Sequence, residues 1–389
     1  MAYQSHDYRH YRRKKKKPNR TIEILAVIAA VLTVCCAYAG RINPESFLPA
    51  PFLMLAFMPM FIVSLALMLV ALLWRRWFAL LPLVVAVAAV FPVTRLYLPF
   101  NTSETAPAIP AERTSMLKVM TYNVLAFNYN DPALSSVPSA TMRLILDADP
   151  DVVLLQEGAA GGLDWADMQS VAPFMGEIEK RYPYRHAGSD GLAIMSRYPF
   201  ATHPVGEPQH MRSPLGYNRD MTSYIARYYD LQLPDGKQLR LFNFRLQSYN
   251  LSFGQTKHVR VSPEVKPSAL ERMRRSFTLR GDNATQLRAA IDASPDNVIV
   301  CGDMNDVPAS HVYRVIRGND LRDGWCDAGN GYARTYNRHH LCYRIDHVLY
   351  RGNLLAIAAE RLTGGSSDHY PLLLTFDIDY NHHPVVDEN

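Results

Sequence analysis

The sequence predicts an α/β domain carried behind three membrane-crossing helices. Three observations predict it. Three long uncharged apolar stretches follow a basic tail near the start of the chain. From residue 117 onward, short β-prone apolar runs alternate with helix signals. Several of those runs stop on a polar residue: Leu117–Tyr122 before Asn123, Val152–Leu155 before Glu157, and Val298–Cys301 before Asp303.

The first 20 residues carry eight basic side chains against Asp7, a net charge of +7. The whole 389-residue chain carries only +5, and the part beyond residue 116 carries −3. The basic character therefore belongs to the tail, and it does not make the later domain a nonspecific nucleic-acid binder. The apolar stretches are Ile24–Gly40, Phe52–Trp74 and Trp77–Thr94. At 1.5 Å per residue each roughly matches a hydrocarbon layer of ~30 Å. Trp74, Trp77 and Tyr97 sit where interfacial aromatics belong. A soluble helical domain rarely runs 23 residues without a charge, and a cleaved leader leaves the two later stretches in place. The basic tail marks the cytoplasmic side, so three crossings put the C-terminal domain outside the cytoplasm, in a multi-pass protein of the cell membrane. The expected boundaries are a basic tail over 1–20, an anchor over 21–97, a Pro/Ser/Thr/Ala-rich linker over 98–116, a domain over 117–380 and a tail over 381–389.

Strands are expected at Leu117–Tyr122, Val152–Leu155, Leu192–Met195, Tyr224–Leu233, Leu239–Leu246, Val298–Cys301, Arg344–Tyr350 and Leu372–Ile378. Ser139–Leu146 reads as a helix. Ser268 with Glu271 is a capping-box signature just after Pro267, so a second helix runs to about Ala293. Cys326 and Cys342 are spaced for either a disulfide or two free thiols. No zinc-binding spacing occurs.

Six segments hold the chemistry: TYNV at 121–124, LLQE at 154–157, GLAIMSRYP at 191–199, CGDMNDVPAS at 301–310, RIDHVLY at 344–350 and SSDHYPL at 366–372. Carboxylates at strand ends converge on one rim of a sheet, where they can hold a metal. Asp303 and Asn305, two apart in an extended turn, point to one side. His369 can move a proton or bind phosphate. His347 points away from Asp346 along its strand and reads as structural, and Asp306 reads as a turn residue.

In their order and spacing these segments resemble the endonuclease/exonuclease/phosphatase superfamily over residues 117–378, its bacterial membrane-anchored members most of all. The resemblance implies a four-layer sandwich of two mixed β-sheets flanked by helices. It implies a metal-dependent phosphoric ester hydrolase acting on a lipid head group, nucleic acid or small phosphate ester. Magnesium is the expected ion, with manganese or calcium as alternatives. Glu157 is the implied principal metal ligand, with Asn123 in the same shell or on the phosphate and Asp368 near the ion. Asp303 would activate water, Asn305 would donate to a phosphoryl oxygen, and Asp346 would orient His369. One position departs from the pattern: Arg245 stands where a strand of the family often carries His. A guanidinium can hold phosphate but cannot shuttle a proton. The alternative reading is a noncatalytic phosphate-binding sensor or scaffold. The basic run Arg272, Arg274, Arg275 and Arg280 reads as a solvated helix face. No protein partner is legible.

Overall fold

A computed structural model describes residues 20–101, 116–158, 164–207, 209–212, 220–234, 236–248, 268–338 and 343–379. The tail to Asn19, the linker from Thr102 to Ser115, Cys342 and the residues after Asp379 lie outside the described residues.

The apolar region forms helices α1 (Thr21–Tyr38), α2 (Pro49–Leu55), α3 (Phe57–Leu73) and α4 (Trp77–Tyr97). Among the described residues two single helices are long and apolar enough to cross a membrane, Thr21–Arg41 and Trp77–Tyr97, at 21 residues each. The expected middle crossing is corrected in form: it is no single helix, and it counts as a third span only where the bent pair α2–α3 acts as one. Phe52–Trp74 is not continuous but breaks at Ala56, with a 53° bend between α2 and α3. Pro59 accounts for the break, because a proline ring clashes with the carbonyl four residues back, here that of Leu55.

The chain divides into two compact units, one drawn from the segments up to Val34 and Met58–Val90, the other from Cys35–Phe57 and Phe91 onward. In the first, Ala26, Ala29, Ala30, Ala71, Ala79 and Ala86 let helices approach closely. Thr33 and Ser64 share a buried hydroxyl–hydroxyl bond of 2.7 Å. Arg76 and Glu23 pair at 3.5 Å.

In the second unit the strands are β1 (Met116–Asn123), β2 (Val152–Gln156), β3 (Tyr184–Ala187), β4 (Ala193–Ser196), β5 (Phe200–Val205), β6 (Gln209–Arg212), β7 (Asp220–Ser223), β8 (Ala226–Gln232), β9 (Gln238–Arg245), β10 (Val298–Asp303), β11 (Arg322–Asp323), β12 (Asp346–Arg351), β13 (Leu355–Arg361) and β14 (Leu372–Asp377). The helices are α5 (Ala140–Ala148), α6 (Met175–Arg181), α7 (Ala269–Asp292), α8 (His311–Arg317) and α9 (Gly324–Ala328). One six-stranded mixed sheet runs β13-β14-β1-β2-β4-β3 and a second runs β11-β12-β10-β9-β8-β5, with β6-β7 a separate ribbon. Val119, Leu154, Ile194, Leu374 and Phe376 of the first sheet share one core with Leu241, Ile299, Cys301 and Tyr350 of the second. The outer face of the first sheet, including Met120, Val153 and Leu155, packs on Met142, Ile145 and Ile178. That of the second, including Phe242, Val298 and Val300, packs on Leu287, Ile291, Val312 and Ile316. The layers are therefore helix, sheet, sheet, helix. Central strands buried on both faces explain why they read as continuous apolar runs.

Two buried arginines brace the loops that lead to the sheet ends. Arg280, assigned from sequence to a solvated face, is instead wholly buried. It donates 2.7 Å to the Asn305 carbonyl because α7 turns that side chain inward. Arg344 meets Asp323 bidentately at 3.0 and 2.8 Å and donates to the Leu96 carbonyl at 3.0 Å. Despite the cost of burial, Arg344 holds the Asp323 carboxyl down at about 2. Arg344→Met should strand that carboxylate without its partner and cost about 3–5 kcal/mol. Denaturant unfolding of the purified chain checks this, and a loss under about 1 kcal/mol would mean the pair carries little.

Candidate active site

The register of the second sheet builds the first half of the site. Asp303 is the partner of Arg245 in the parallel pairing of β9 and β10, and of Asp346 in the antiparallel pairing of β10 and β12. Arg245, Asp303 and Asp346 thus lie side by side across three strands. Gly302 permits the packing just before this row, since a Cβ there would stand 2.1 Å from the Phe244 carbonyl oxygen. The first sheet supplies Asn123 at the end of β1 and Glu157 just past β2. Asp368 and His369 lie on the loop before β14.

Asn123 joins the two halves. It is 1% exposed, and its amide nitrogen donates to Glu157 Oε1 at 3.2 Å and to Asp303 Oδ2 at 3.1 Å. Its own Oδ1 accepts from the Leu125 backbone N–H at 3.2 Å. Asn305 donates to Asp303 twice, from its backbone N–H at 2.8 Å and its side chain at 3.1 Å. The Asn305 amide also donates to the Leu246 carbonyl at 2.9 Å. In this arrangement Asn305 orients Asp303 rather than reaching into open space. Burial, then the neighbouring Asp346 charge, raise Asp303 to about 6 against these hydrogen bonds.

Asp346 Oδ2 accepts from His369 Nδ1 at 2.8 Å. Burial works against charge on His369, but the Asp346 carboxylate and its hydrogen bond raise the ring to about 10. Thr335 Oγ accepts from the Asp346 backbone N–H at 3.1 Å, and the Tyr336 ring stands 5.1 Å from His369. His347 turns the other way. It is fully buried, with Nε2 3.0 Å from the Asp306 carbonyl oxygen and its ring against Tyr313.

Both expected carboxylate ligands of a metal already face an arginine. Arg245 Nη2 stands 2.7 Å from Glu157 Oε1, and Arg338 Nη1 stands 3.4 Å from Asp368 Oδ2. Burial raises the Asp368 pKa. The donor set still suits a hard divalent cation. Glu157, Asp303, Asp346 and Asp368 offer carboxylate oxygens, and Asp346 Oδ1 is buried without a hydrogen-bond partner. Ligand atoms of Asp303, Asp346 and His369 lie within 4.8 Å of one another, although His369 Nδ1 is committed to Asp346.

Sequence reasoning missed the polar floor beneath these residues. Gln156 donates to Asn243 Oδ1 at 2.7 Å and to Thr121 Oγ1 at 3.0 Å. Asn243 donates across to the carbonyls of Leu155 and Ala193 at 2.9 and 3.0 Å. These buried bonds tie the two sheets together. The available signal was a lone Asn inside the apolar run LFNF. Ser367, which donates to the Asn123 carbonyl at 2.6 Å, was also missed. Backbone strain collects here: Glu157 and Asn305 have φ of 51° and 50°, and Leu125–Asn128 are all left-handed. Of the rival histidines, His339, His340, His382 and His383 lie outside the described residues. Cys326 is a free thiol.

A family model described as the endonuclease/exonuclease/phosphatase family matches residues 120–369. A second, described as a domain of unknown function (DUF8431), matches residues 19–96. No curated protein matches the chain. Among solved structures, an endonuclease/exonuclease/phosphatase from Beutenbergia cavernae is 18% identical, with 68% of this chain and 72% of that one covered and a TM-score of 0.45. The human Nocturnin catalytic domain with bound sulfate is 18% identical, with coverages of 68% and 94% and a TM-score of 0.44. Beta toxin from Staphylococcus aureus with bound magnesium ions is 15% identical, with coverages of 66% and 98% and a TM-score of 0.41.

His347 carries a pH-dependence of stability. Burial, then the Arg344 charge, lower it to about 4. An unfolded histidine titrates near 6.5. The folded state therefore holds the ring neutral, so its contribution is complete above about pH 6.5 and is lost as pH falls toward about 4. Between about pH 6.5 and 5 the loss is about 2 kcal/mol. His347→Gln should flatten the fall in unfolding midpoint over that interval. Equal slopes in parent and variant would assign the acid sensitivity elsewhere.

Proposed function

The chain belongs to the endonuclease/exonuclease/phosphatase family, and from that premise we propose that it is a membrane-anchored, metal-dependent phosphoric ester hydrolase. The observation that carries this reading is the linked set Glu157–Asn123–Asp303 beside Asp346–His369. Glu157, Asn123 and Asp368 would hold the ion, with magnesium the expected species. A bound divalent cation neutralises charge on a phosphoryl oxygen. Asp303, buried and titrating near 6, is a carboxylate at neutral pH and accepts a proton from the attacking water. Asn123 and Asn305 fix its orientation. His369 keeps its proton and donates from Nε2 to developing negative charge, while Asp346 holds the ring by Nδ1.

The substrate is a phosphate ester. The anchor favours one at a membrane or envelope surface by raising effective concentration. The −3 charge beyond residue 116 weighs against loose binding to nucleic acid. The Arg245–Glu157 ion pair favours a second reading, a phosphate-binding sensor without turnover. Hydrolysis of bis-p-nitrophenyl phosphate by the detergent-purified chain, with magnesium or manganese and with chelator, separates the two. Asp303→Asn should lower turnover roughly 10²–10⁴-fold. Glu157→Gln should instead raise the metal concentration needed for half activity. Equal, mild effects from both changes would remove these roles, and an inert parent across a substrate panel would favour the sensor.

We also propose three crossings with the domain outside the cytoplasm. The chain passes between its two compact units three times, near residues 34, 57 and 90. Within the helical unit, the Arg76–Glu23 pair sets the α3–α4 turn beside the start of α1. On this reading the bent pair of α2 and α3 makes the middle span. An alkaline phosphatase fused after Thr94 should be active and one fused after Arg76 inactive. The reverse pattern would put the domain in the cytoplasm.

A further inference from the structure

Glu157 Oε1 receives two donors at once, Arg245 Nη2 at 2.7 Å and Asn123 Nδ2 at 3.2 Å. A carboxylate oxygen already matched by a full positive charge is poorly placed to accept a second cation. Each of the other acidic groups also has a donor already. Asp303 accepts from Asn123 and Asn305, Asp346 holds His369, and Asp368 faces Arg338. Arg245 is not itself fully satisfied. Its Nε is buried without a hydrogen-bond partner, and its side chain is about one-third exposed. Its backbone lies in register with Asp303, so the guanidinium works at the rim where substrate phosphate would arrive. A guanidinium binds phosphate through two parallel N–H donors, a better match than the single Nη2 contact with Glu157.

We infer that Arg245 exchanges between Glu157 and a substrate phosphate, so that phosphate and the divalent cation bind this site cooperatively. The inference rests on the metal-dependent hydrolase reading. With neither ligand present, Arg245 neutralises Glu157 and keeps the site from carrying an uncompensated carboxylate. Phosphate draws the guanidinium away, and the exposed Glu157 then accepts the ion. A metal on Glu157 releases Arg245 in the same way. Linkage makes the two effects equal: the factor by which phosphate tightens metal binding is the factor by which metal tightens phosphate binding. An arginine at this position thereby does what a histidine cannot, since its charge is permanent and the exchange needs no proton.

Isothermal titration of the full chain in detergent, with magnesium and with inorganic phosphate, tests this without turnover. The parent should bind magnesium about tenfold tighter in saturating phosphate than without it. Arg245→Gln should bind magnesium tighter than the parent when phosphate is absent, and phosphate should change its affinity by less than about twofold. Glu157→Gln releases Arg245 from the other side. It should bind phosphate without metal more tightly than the parent does, and magnesium should no longer strengthen that binding. The inference is overturned if Arg245→Gln binds magnesium no tighter than the parent, or if phosphate tightens both proteins equally, which is the result expected from direct attraction between the cation and the phosphate. A parent that binds both ligands independently overturns the exchange and leaves the hydrolase reading standing. A parent that binds neither overturns both.

Discussion

The site depends on one lateral alignment, the register of β9, β10 and β12. That register puts Arg245, Asp303 and Asp346 in a single row. Side chains alternate faces along a strand, so a slip of one residue would turn Asp303 or Asp346 into the layer on the other side. Two features oppose a slip. Gly302 lets the β9 backbone approach to a distance no other residue tolerates. The alternating inward set, Leu241, Ile299, Cys301, Val348 and Tyr350, is committed to the core between the sheets. The remaining contacts follow from the row. Asp303 is where Asn123 brings the first sheet in, and Asp346 is where His369 is caught.

Much of this alignment was legible because the central strands are buried on both faces. β1, β2 and β10 announce themselves as apolar runs stopping at a polar residue, and β9, β12 and β14 as β-prone runs. The strands that escaped reading are short or lie at edges. β3, YRHA, and β5, FATHPV, have exposed positions and no long apolar run, and β11 is two residues long. The break in the apolar region was signalled by Pro59, whose effect on Leu55 is steric and local. Hydropathy averages over that effect, so Phe52–Trp74 read as one span. Charge was the least legible property. Arg280 and Arg344 look like any other arginine in the sequence, yet both are buried. Only the tertiary arrangement supplies Asn305, Gln247 and Asp323 as their partners.

The chemical segments converge as their order suggested, but the details of their contacts were not in the pattern. Arg245 faces the same carboxylate that the metal would use. Asn305 spends its amide on Leu246 and Asp303. Both outcomes have one cause. The rim crowds Glu157, Asp303, Asp346 and Asp368, and every nearby donor is drawn toward that negative charge. His369 is held protonated by the same field. The left-handed backbone at Glu157 and through Leu125–Asn128 is part of the cost. Asn128 helps to hold the strained turn by donating to Ser366 at 2.8 Å, on the loop that carries His369.

The segments adjoining the apolar helices are fastened to this same crowded rim. Tyr97, at the end of α4, donates to the Pro308 carbonyl at 2.7 Å, in the loop that follows Asp303 and Asn305. Arg344, two residues before Asp346, reaches the Leu96 carbonyl. Phe52 of α2 packs edge-on against Phe277 of α7 at 5.6 Å. One helical turn along, Arg280 stands over the Phe277 ring and donates to the Asn305 carbonyl. Two separate routes therefore run from helix ends to the loops that hold the acidic row. Each uses a buried arginine, and a buried arginine tolerates little movement, because losing a partner leaves its charge desolvated and unpaired. A tether that only raised local concentration would need no such fastening. The contacts make α2 and the last residues of α4 structural parts of the unit that carries the Asp303 and Asp346 loops.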